Sequence, residues 1–524
     1  MKSDSEIRNE APKQPWLNRN EWILFAITSV WFSVFAFFSV DLHHDGVMLK
    51  PAMDVAAGGV VFRDTFSQYG ILSPLLQGAV VQLFGAELLY LRLLTVGCYG
   101  VCAILLDRLF RRFLSTPCRW GMFGFFLGLA PFYLWEMHIW SSVYALCCML
   151  AGGVCMLRYL ESGKTGALFL CGVAAAAAFG FRQPCGLVMI PAGLLPLGIE
   201  AWSRQLPPRE WEKRIGLFLG GFGTLLAGYA VYLTVHGAWP DYFRQTWLFV
   251  SKFALTAEDK PRLLTLPGCL FPLRSAFVLF PLITLGLFVR EMSALCRRRG
   301  ESRRHLMLLA VLLVGLGSWH QYYPVPCYRH LYWAGIPMFG AFWLLVEQIG
   351  HSALRKGMRI ALICLLLAWP LAEIGFRLIH GAERIASLRE RESVSLPGVR
   401  WLQLDPVEAE YFRNLQRTIN RIPPEFEDRL FLNLTPHALF CCFLQNHPDF
   451  RPMFVNWGNS VYPDYAEKAM KAVVEFQPLV ISVAPEPFPG YRPLGGFPAD
   501  TPFYYLSIPP EGPINWESPR ANSE

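Results

Sequence analysis

The stretch WILFAITSVWFSVFAFFSV, residues 22–40, runs directly into Asp41-Leu42-His43-His44-Asp45-Gly46. The first part carries no charge and matches the ~20 apolar residues that a helix needs to cross a bilayer core of ~30 Å. Two carboxylates and two imidazoles then follow within five residues. At such a boundary ionisable groups are costly unless they line a wet, protein-enclosed cavity, so the segment reads as a membrane helix opening onto a functional loop. Lys2, Arg8, Lys13 and Arg19 precede the block, and no small-residue cleavage site ends it. It therefore reads as an uncleaved anchor, with residues 1–21 in the cytoplasm.

The rest of the chain agrees. Of 524 residues 53% are apolar and only 17% charged, with 15% aromatic, and the mean hydropathy is +0.32. A soluble globule of this size cannot hide that much apolar surface. Further apolar blocks at 86–107, 120–135, 140–158, 166–181, 184–200, 215–235, 270–289, 306–320, 331–348 and 358–378 bring the expected spans to about eleven. An odd number puts the C-terminus outside. The net charge of +7 then reflects cations anchoring cytoplasmic loops, such as Arg108, Arg111, Arg112 and Arg119, or Arg290, Arg297, Arg298 and Arg299, and no nucleic-acid surface. Counting 71–84 as a span would invert every later loop and break that charge rule, so it is expected to be an interfacial helix on the outer face. Most of the 14 cysteines lie inside apolar runs and none forms Cys-x-x-Cys, which gives no sign of a redox or metal framework.

From Gly381 the composition becomes that of a soluble module. Residues 429–434 and 479–484 read as strands and 436–445 and 465–476 as helices, a small α/β domain over 381–524 outside the membrane. It has no Gly-x-Gly-x-x-Gly, P-loop or Gly-x-Ser-x-Gly. The fold expected is thus an α-helical polytopic membrane protein, with a transmembrane domain over 22–380 whose first outer loop, 41–85, is catalytic.

On this topology the unusual polar residues gather at the outer face. They are Asp41, His43, His44, Asp45, Arg63, Asp64, Gln68 and Tyr69 of the first loop, Glu136 and His138, Arg182 and Gln183, and Arg329 and His330. A carboxylate among them can act as general base toward a substrate hydroxyl, and a guanidinium at Arg182 can fork onto a phosphate. Two His and two Asp could also hold a divalent metal, although adjacent His43 and His44 lack the spacing of a zinc helix.

The acidic outer loop after the first span, the amphipathic helix, the span count and the outer C-terminal domain together resemble the GT-C superfamily of polyprenyl-phosphate-dependent glycosyltransferases. The bacterial relatives of protein mannosyltransferases and of the lipid A aminoarabinose transferase are the most similar branches. The stretch matching the family's loop is His44-Asp-Gly46, then 52–58, then Leu72-Ser-Pro-Leu-Leu76. Asp45 falls on the family's base carboxylate, the adjacent acid is replaced by Gly46, and the first proline of Pro-Pro-Leu is replaced by Ser73.

The resemblance implies transfer of a sugar from an undecaprenyl or similar polyprenyl phosphate to a hydroxyl of a lipid, glycan or protein. The reaction would lie at the outer face of a bacterial inner membrane and invert the anomeric centre. Asp45, with Asp41 as the alternative, would deprotonate the acceptor, and cations would stabilise the departing lipid phosphate. A lipid-linked donor needs no nucleotide-binding motif, and none is present; a divalent metal is the one cofactor left open. The competing reading is a flippase for a lipid-linked glycan. It would place polar groups in mid-span and break its helices, whereas here the spans stay apolar.

Overall fold

The computed structural model describes residues 18–130, 137–256, 275–297, 303–322, 328–444, 460–498 and 503–511. A helix occupies each of the apolar blocks. The first nine helices of the chain are α1 (Arg19–Ala36), α2 (His44–Ala56), α3 (Leu72–Phe84), α4 (Leu88–Phe110), α5 (Thr116–Leu129), α6 (Ser141–Ser162), α7 (Thr165–Phe181), α8 (Gln183–Arg204) and α9 (Pro208–Val235). After them come Leu279–Arg297, Arg303–Ser318, the pair Tyr328–Gly335 and Phe339–Gly350 joined by a 3-10 turn, and Lys356–Ala386. Among the described residues six helices are long and apolar enough to cross a bilayer by themselves: α4, α6, α8, α9, the helix ending at Arg297, and the long one beginning at Lys356. The molecule is a polytopic helical membrane protein.

Helix boundaries follow local chemistry. Asn18 caps α1 by accepting the Glu21 N–H, and Glu21 returns the bond to the Asn18 N–H. At Arg182 the backbone is extended, which separates α7 from α8, and Pro184 sits in the first turn of the new helix. The 13-residue α3 is only ~20 Å long, too short to span, and packs on α2 and α4. Arginines gather at the bundle end remote from Asp41. Arg108 and Arg111 hold the buried Glu21, Arg119 holds Asp107, and Arg204 and Arg214 share Glu200.

The C-terminal domain holds a four-stranded sheet in the order β1-β2-β4-β3, from β1 (Phe431–Asn433), β2 (Leu479–Ser482), β3 (Arg492–Pro498) and β4 (Phe503–Ile508). The two expected strands form its parallel pair, with Leu432 opposite Val480. The helix Tyr465–Phe476 is as expected, whereas 436–445 yields only the turn of helix Phe440–Phe443. Two elements differ from the sequence reading. The hairpin β3–β4 was concealed by Pro493, Pro498, Gly495 and Gly496. It is possible because β3 is the sheet edge and a register shift between Pro493 and Gly495 absorbs the irregularity. Helix Pro406–Ile419, started by an Asp405–Glu408 capping box, packs Tyr411, Phe412 and Leu415 inward. The domain boundary also moves: the last membrane helix runs through Gly381 to Ala386, because no stop signal follows that glycine.

This domain is stitched to the loop after α1. The Gln403 N–H donates to Phe37 O at 2.7 Å, the Leu439 N–H to Leu42 O at 3.0 Å, and His43 Nδ1 to Pro436 O at 2.6 Å. A Cβ on Gly46 would meet Leu439 N at 2.0 Å and Ala438 C at 2.5 Å, so main chain of the domain lies directly on the start of α2.

Candidate functional site

The loop residues predicted as catalytic fall into two differently employed pairs. Asp41 folds over the start of α2 as an Asx turn. Its Oδ1 accepts the N–H groups of His43 at 3.0 Å and His44 at 2.8 Å, and its Oδ2 accepts from His44 Nδ1 at 2.5 Å. Burial pushes the Asp41 carboxyl up. The hydrogen bond and charge of His44, its N–H and the charge of His138 outweigh that and hold it well below the usual carboxylate range.

Asp45 is employed otherwise. Only 1% of its surface is exposed, and its Oδ2 accepts from Arg92 Nη2 at 2.8 Å and from the Asp41 N–H at 3.1 Å. Arg92, equally buried, also donates to the carbonyls of Ala36, Phe38 and Ser39 at 2.7–3.1 Å. These are carbonyls at the end of α1 that lack helical partners. Asp45 is therefore the counterion of a buried arginine that ties α4 to the α1 terminus. Its Oδ1 is buried with no protein hydrogen bond, so the carboxylate keeps one oxygen open beside its tie to Arg92. The sequence reading overlooked Arg92, although a lone guanidinium inside an apolar block is the signal that would have found it.

Opposite the loop stands an aromatic wall that was also overlooked. Trp140 stacks on Trp333 at 5.2 Å, and its ring lies 5.4 Å from that of His44, 6.1 Å from His138 and 6.2 Å from Tyr69. His330 lies 6.1 Å from Trp333. Arg182 extends over the Tyr69 ring at 5.9 Å and donates to the Ser142 hydroxyl. The main chain of Gly70 brings Tyr69 there: its N–H bonds Phe181 O, and a Cβ would meet Gly180 O at 2.0 Å. His320 lies in the 3-10 turn Trp319–Tyr322 beyond its helix and donates from Nδ1 to Gly317 O. Burial and the Arg182 charge lower it from 6.5 to about 4. Four buried polar atoms along this wall, Trp140 Nε1, Ser141 Oγ, His320 Nε2 and Gln321 Oε1, have no protein hydrogen bond. Such atoms are costly unless a ligand or water meets them.

The structure thus brings together Asp41, His44, His138, Tyr69, Arg182 and His330 from segments far apart in sequence, while Gln183, buried at the start of α8, is bonded to Tyr242. His43 turns away to the C-terminal domain. Gln68 borders a small cavity between α2 and α3 with Tyr69, Pro51 and Pro74. Arg63 and Asp64 are not in the group: they pair with each other, and Arg63 donates to His236 O beyond α9. Glu136 lies outside the described residues, as does the Arg329 side chain. Among the described residues no three His, Cys, Asp or Glu side chains converge as metal ligands. Asp41 and His44 engage each other, and Asp45 engages Arg92 through Oδ2 while its Oδ1 has no protein hydrogen bond.

No protein-family model and no curated protein matches the chain in sequence. Solved structures match it in fold. ArnT from Cupriavidus metallidurans bound to undecaprenyl phosphate covers 94% of this chain and 98% of its own, with a TM-score of 0.55 at 12% identity. The same protein in the apo state gives 0.54 at 13% identity, over 93% and 98%. The archaeal oligosaccharyltransferase AglB from Archaeoglobus fulgidus, in complex with an inhibitory peptide and a dolichol-phosphate, gives 0.51 at 9% identity, over 89% of this chain and 70% of AglB.

Proposed function

The chain has the fold of GT-C glycosyltransferases, and from that premise we propose that it is a membrane glycosyltransferase. It moves a sugar from undecaprenyl phosphate or a similar polyprenyl phosphate to a hydroxyl of a lipid, glycan or protein acceptor, at the outer face of a bacterial inner membrane and with inversion. One observation carries the reading. The Asp41–His44 pair, the Arg182 guanidinium and a wall of unpartnered buried polar atoms meet at one end of the bundle, in a fold shared almost end to end with a protein crystallised with a lipid phosphate.

Arg182 receives the donor phosphate and, with His330 and Arg329 from the neighbouring helix, stabilises the charge that develops as it leaves. The proton-accepting group comes from the Asp41–His44 pair, while Asp45 holds the loop through Arg92. The C-terminal domain, bonded to that loop, limits what reaches it.

The test is purified protein in proteoliposomes, given radiolabelled sugars on polyprenyl phosphate together with a panel of hydroxyl acceptors. Sugar transfer that Arg182→Ala reduces through weaker donor binding supports the reading. Movement of intact lipid-linked glycan across the bilayer, with no bond cleaved, would establish a flippase instead.

A further inference from the structure

We infer that the arginine-rich end of the bundle, remote from Asp41, holds a binding site for the phosphate headgroup of an anionic phospholipid. The inference needs only the membrane fold and is independent of the transferase reading. A cavity of about 340 Å³ opens there between the ends of α6, α7, α8 and α9 and the start of the helix Arg303–Ser318. Four cations line it, Arg204, Lys213, Arg214 and Arg303, against two carboxylates, Glu200 and Glu210. Glu200 is buried and divides its oxygens between Arg204 Nη1 and Arg214 Nη1, each at 2.9 Å, with the Tyr159 hydroxyl also on the second. It fixes two guanidiniums at the wall yet supplies one charge for both. Arg303 donates its Nε to Leu160 O at 2.8 Å and, like Lys213, has no ion-pair partner among the described residues. The cavity is therefore left with an uncompensated positive charge that an anion would neutralise.

Two features select a phosphate and its lipid. α7 begins at the cavity, at Thr165, with no side chain capping it, so its first N–H groups lack a side-chain acceptor and suit an anion. Trp202 and Trp211, next along α8 and α9 to lining residues, are 48% and 38% exposed, and exposed indoles sit at the headgroup level of a bilayer. From the cavity wall at Leu217, α9 continues past the exposed Leu219 as a long apolar helix that is little buried by the rest of the protein. A phosphate in the cavity can thus keep its acyl chains along α9, an advantage that a soluble anion does not have. Cations that only anchor a loop stand singly at the interface with their heads in water. Here they converge from three helices on one concave space, and basic pockets between membrane helices are the kind that take anionic headgroups.

The test titrates the full-length protein in detergent with cardiolipin, phosphatidylglycerol or phosphatidylcholine and follows bound lipid by native mass spectrometry. The two anionic lipids should bind, phosphatidylcholine much more weakly, and millimolar inorganic phosphate should not displace them. Lys213→Gln combined with Arg303→Gln should weaken anionic-lipid binding about thirtyfold, roughly fivefold for each cation removed. Arg209→Gln combined with Arg304→Gln removes two exposed cations of the same segments that do not line the cavity, and should leave binding close to wild type. Equal affinity for phosphatidylcholine, or an equal loss in both double variants, overturns the site. Displacement by inorganic phosphate overturns the lipid assignment in favour of a soluble anion. A second measurement needs no variant: phosphatidylglycerol with a photoreactive headgroup, in liposomes holding the wild-type protein, should label the segments 159–165 and 204–217. Labelling confined to other segments overturns the proposal.

Discussion

Asp45→Asn separates the two carboxylates of the first loop. Removing the charge leaves Arg92, 1% exposed, without its only acidic partner among the described residues. Breaking a buried ion pair from one side costs ~3–5 kcal/mol. The amide oxygen of Asn can take the place of Oδ2 and accept from both Arg92 Nη2 and the Asp41 N–H, so the loss is that of the charge and lies at the low end, ~3 kcal/mol or about a hundredfold in the folding equilibrium. The damage should appear as lower yield and a lower thermal midpoint in detergent. Turnover per folded molecule should fall much less than in Asp41→Asn. Pairing Asp45→Leu with Arg92→Met should recover most of the stability that either single change loses, because removing both members of a buried pair is often neutral. If Asp45→Asn instead melts like wild type yet transfers no sugar, while Asp41→Asn remains active, the counterion role is wrong and Asp45 is the base.

Four further outcomes are expected. Gly46→Ala, whose Cβ would collide with Leu439 and Ala438 main chain, should cost ~1–3 kcal/mol by overpacking and slow transfer ~10²-fold by displacing the loop; wild-type melting and turnover would contradict the close approach. Arg182→Lys keeps charge but loses the fork, so donor affinity should lie between wild type and Arg182→Ala in a lipid-phosphate binding assay. Burial and the neighbouring His43 charge lower His437, with Asp41 opposing. Its folded pKa therefore lies below the unfolded ~6.5, and its contribution should be lost as pH falls from there; thermal scans of His437→Gln should be flatter on that acid side. Truncation after Ala386 should leave donor affinity measurable but lower acceptor turnover, and unchanged acceptor kinetics in a folded truncate would remove the domain from the site.

The legible features of the sequence were those with a local physical signature. Runs of apolar residues located every membrane helix, and Arg182-Gln-Pro184 located the break between α7 and α8. Short apolar runs located β1 and β2, while hairpin β3–β4 was hidden because an edge strand tolerates the prolines and glycines that normally argue against a strand. Within the candidate site, residue types that are expensive at membrane depth singled out His44, His138, Arg182 and His330, which the fold places along one aromatic wall. What the sequence could not supply was pairing. Nothing local distinguishes Asp41 from Asp45, since the difference is made by Arg92, 47 residues away along the chain. Trp140 and Trp333 looked like ordinary membrane aromatics until the fold stacked them.

The pairing also explains the departure at Gly46. At Gly46 the space for any side chain is filled by the Ala438–Leu439 main chain of the C-terminal domain. The same approach brings His437 into the field of Asp41 and His43, and sets the Pro436 carbonyl on His43 Nδ1. A loop that elsewhere gathers carboxylates is therefore surrounded in this protein by imidazoles. Asp41, held well below the usual carboxylate range by His44, its N–H and the charge of His138, is by itself a weak proton acceptor. The glycine at 46, the docked domain and the Asp41–His44 pair are thus parts of one arrangement, in which the domain's main chain takes the place of a side chain beside the loop.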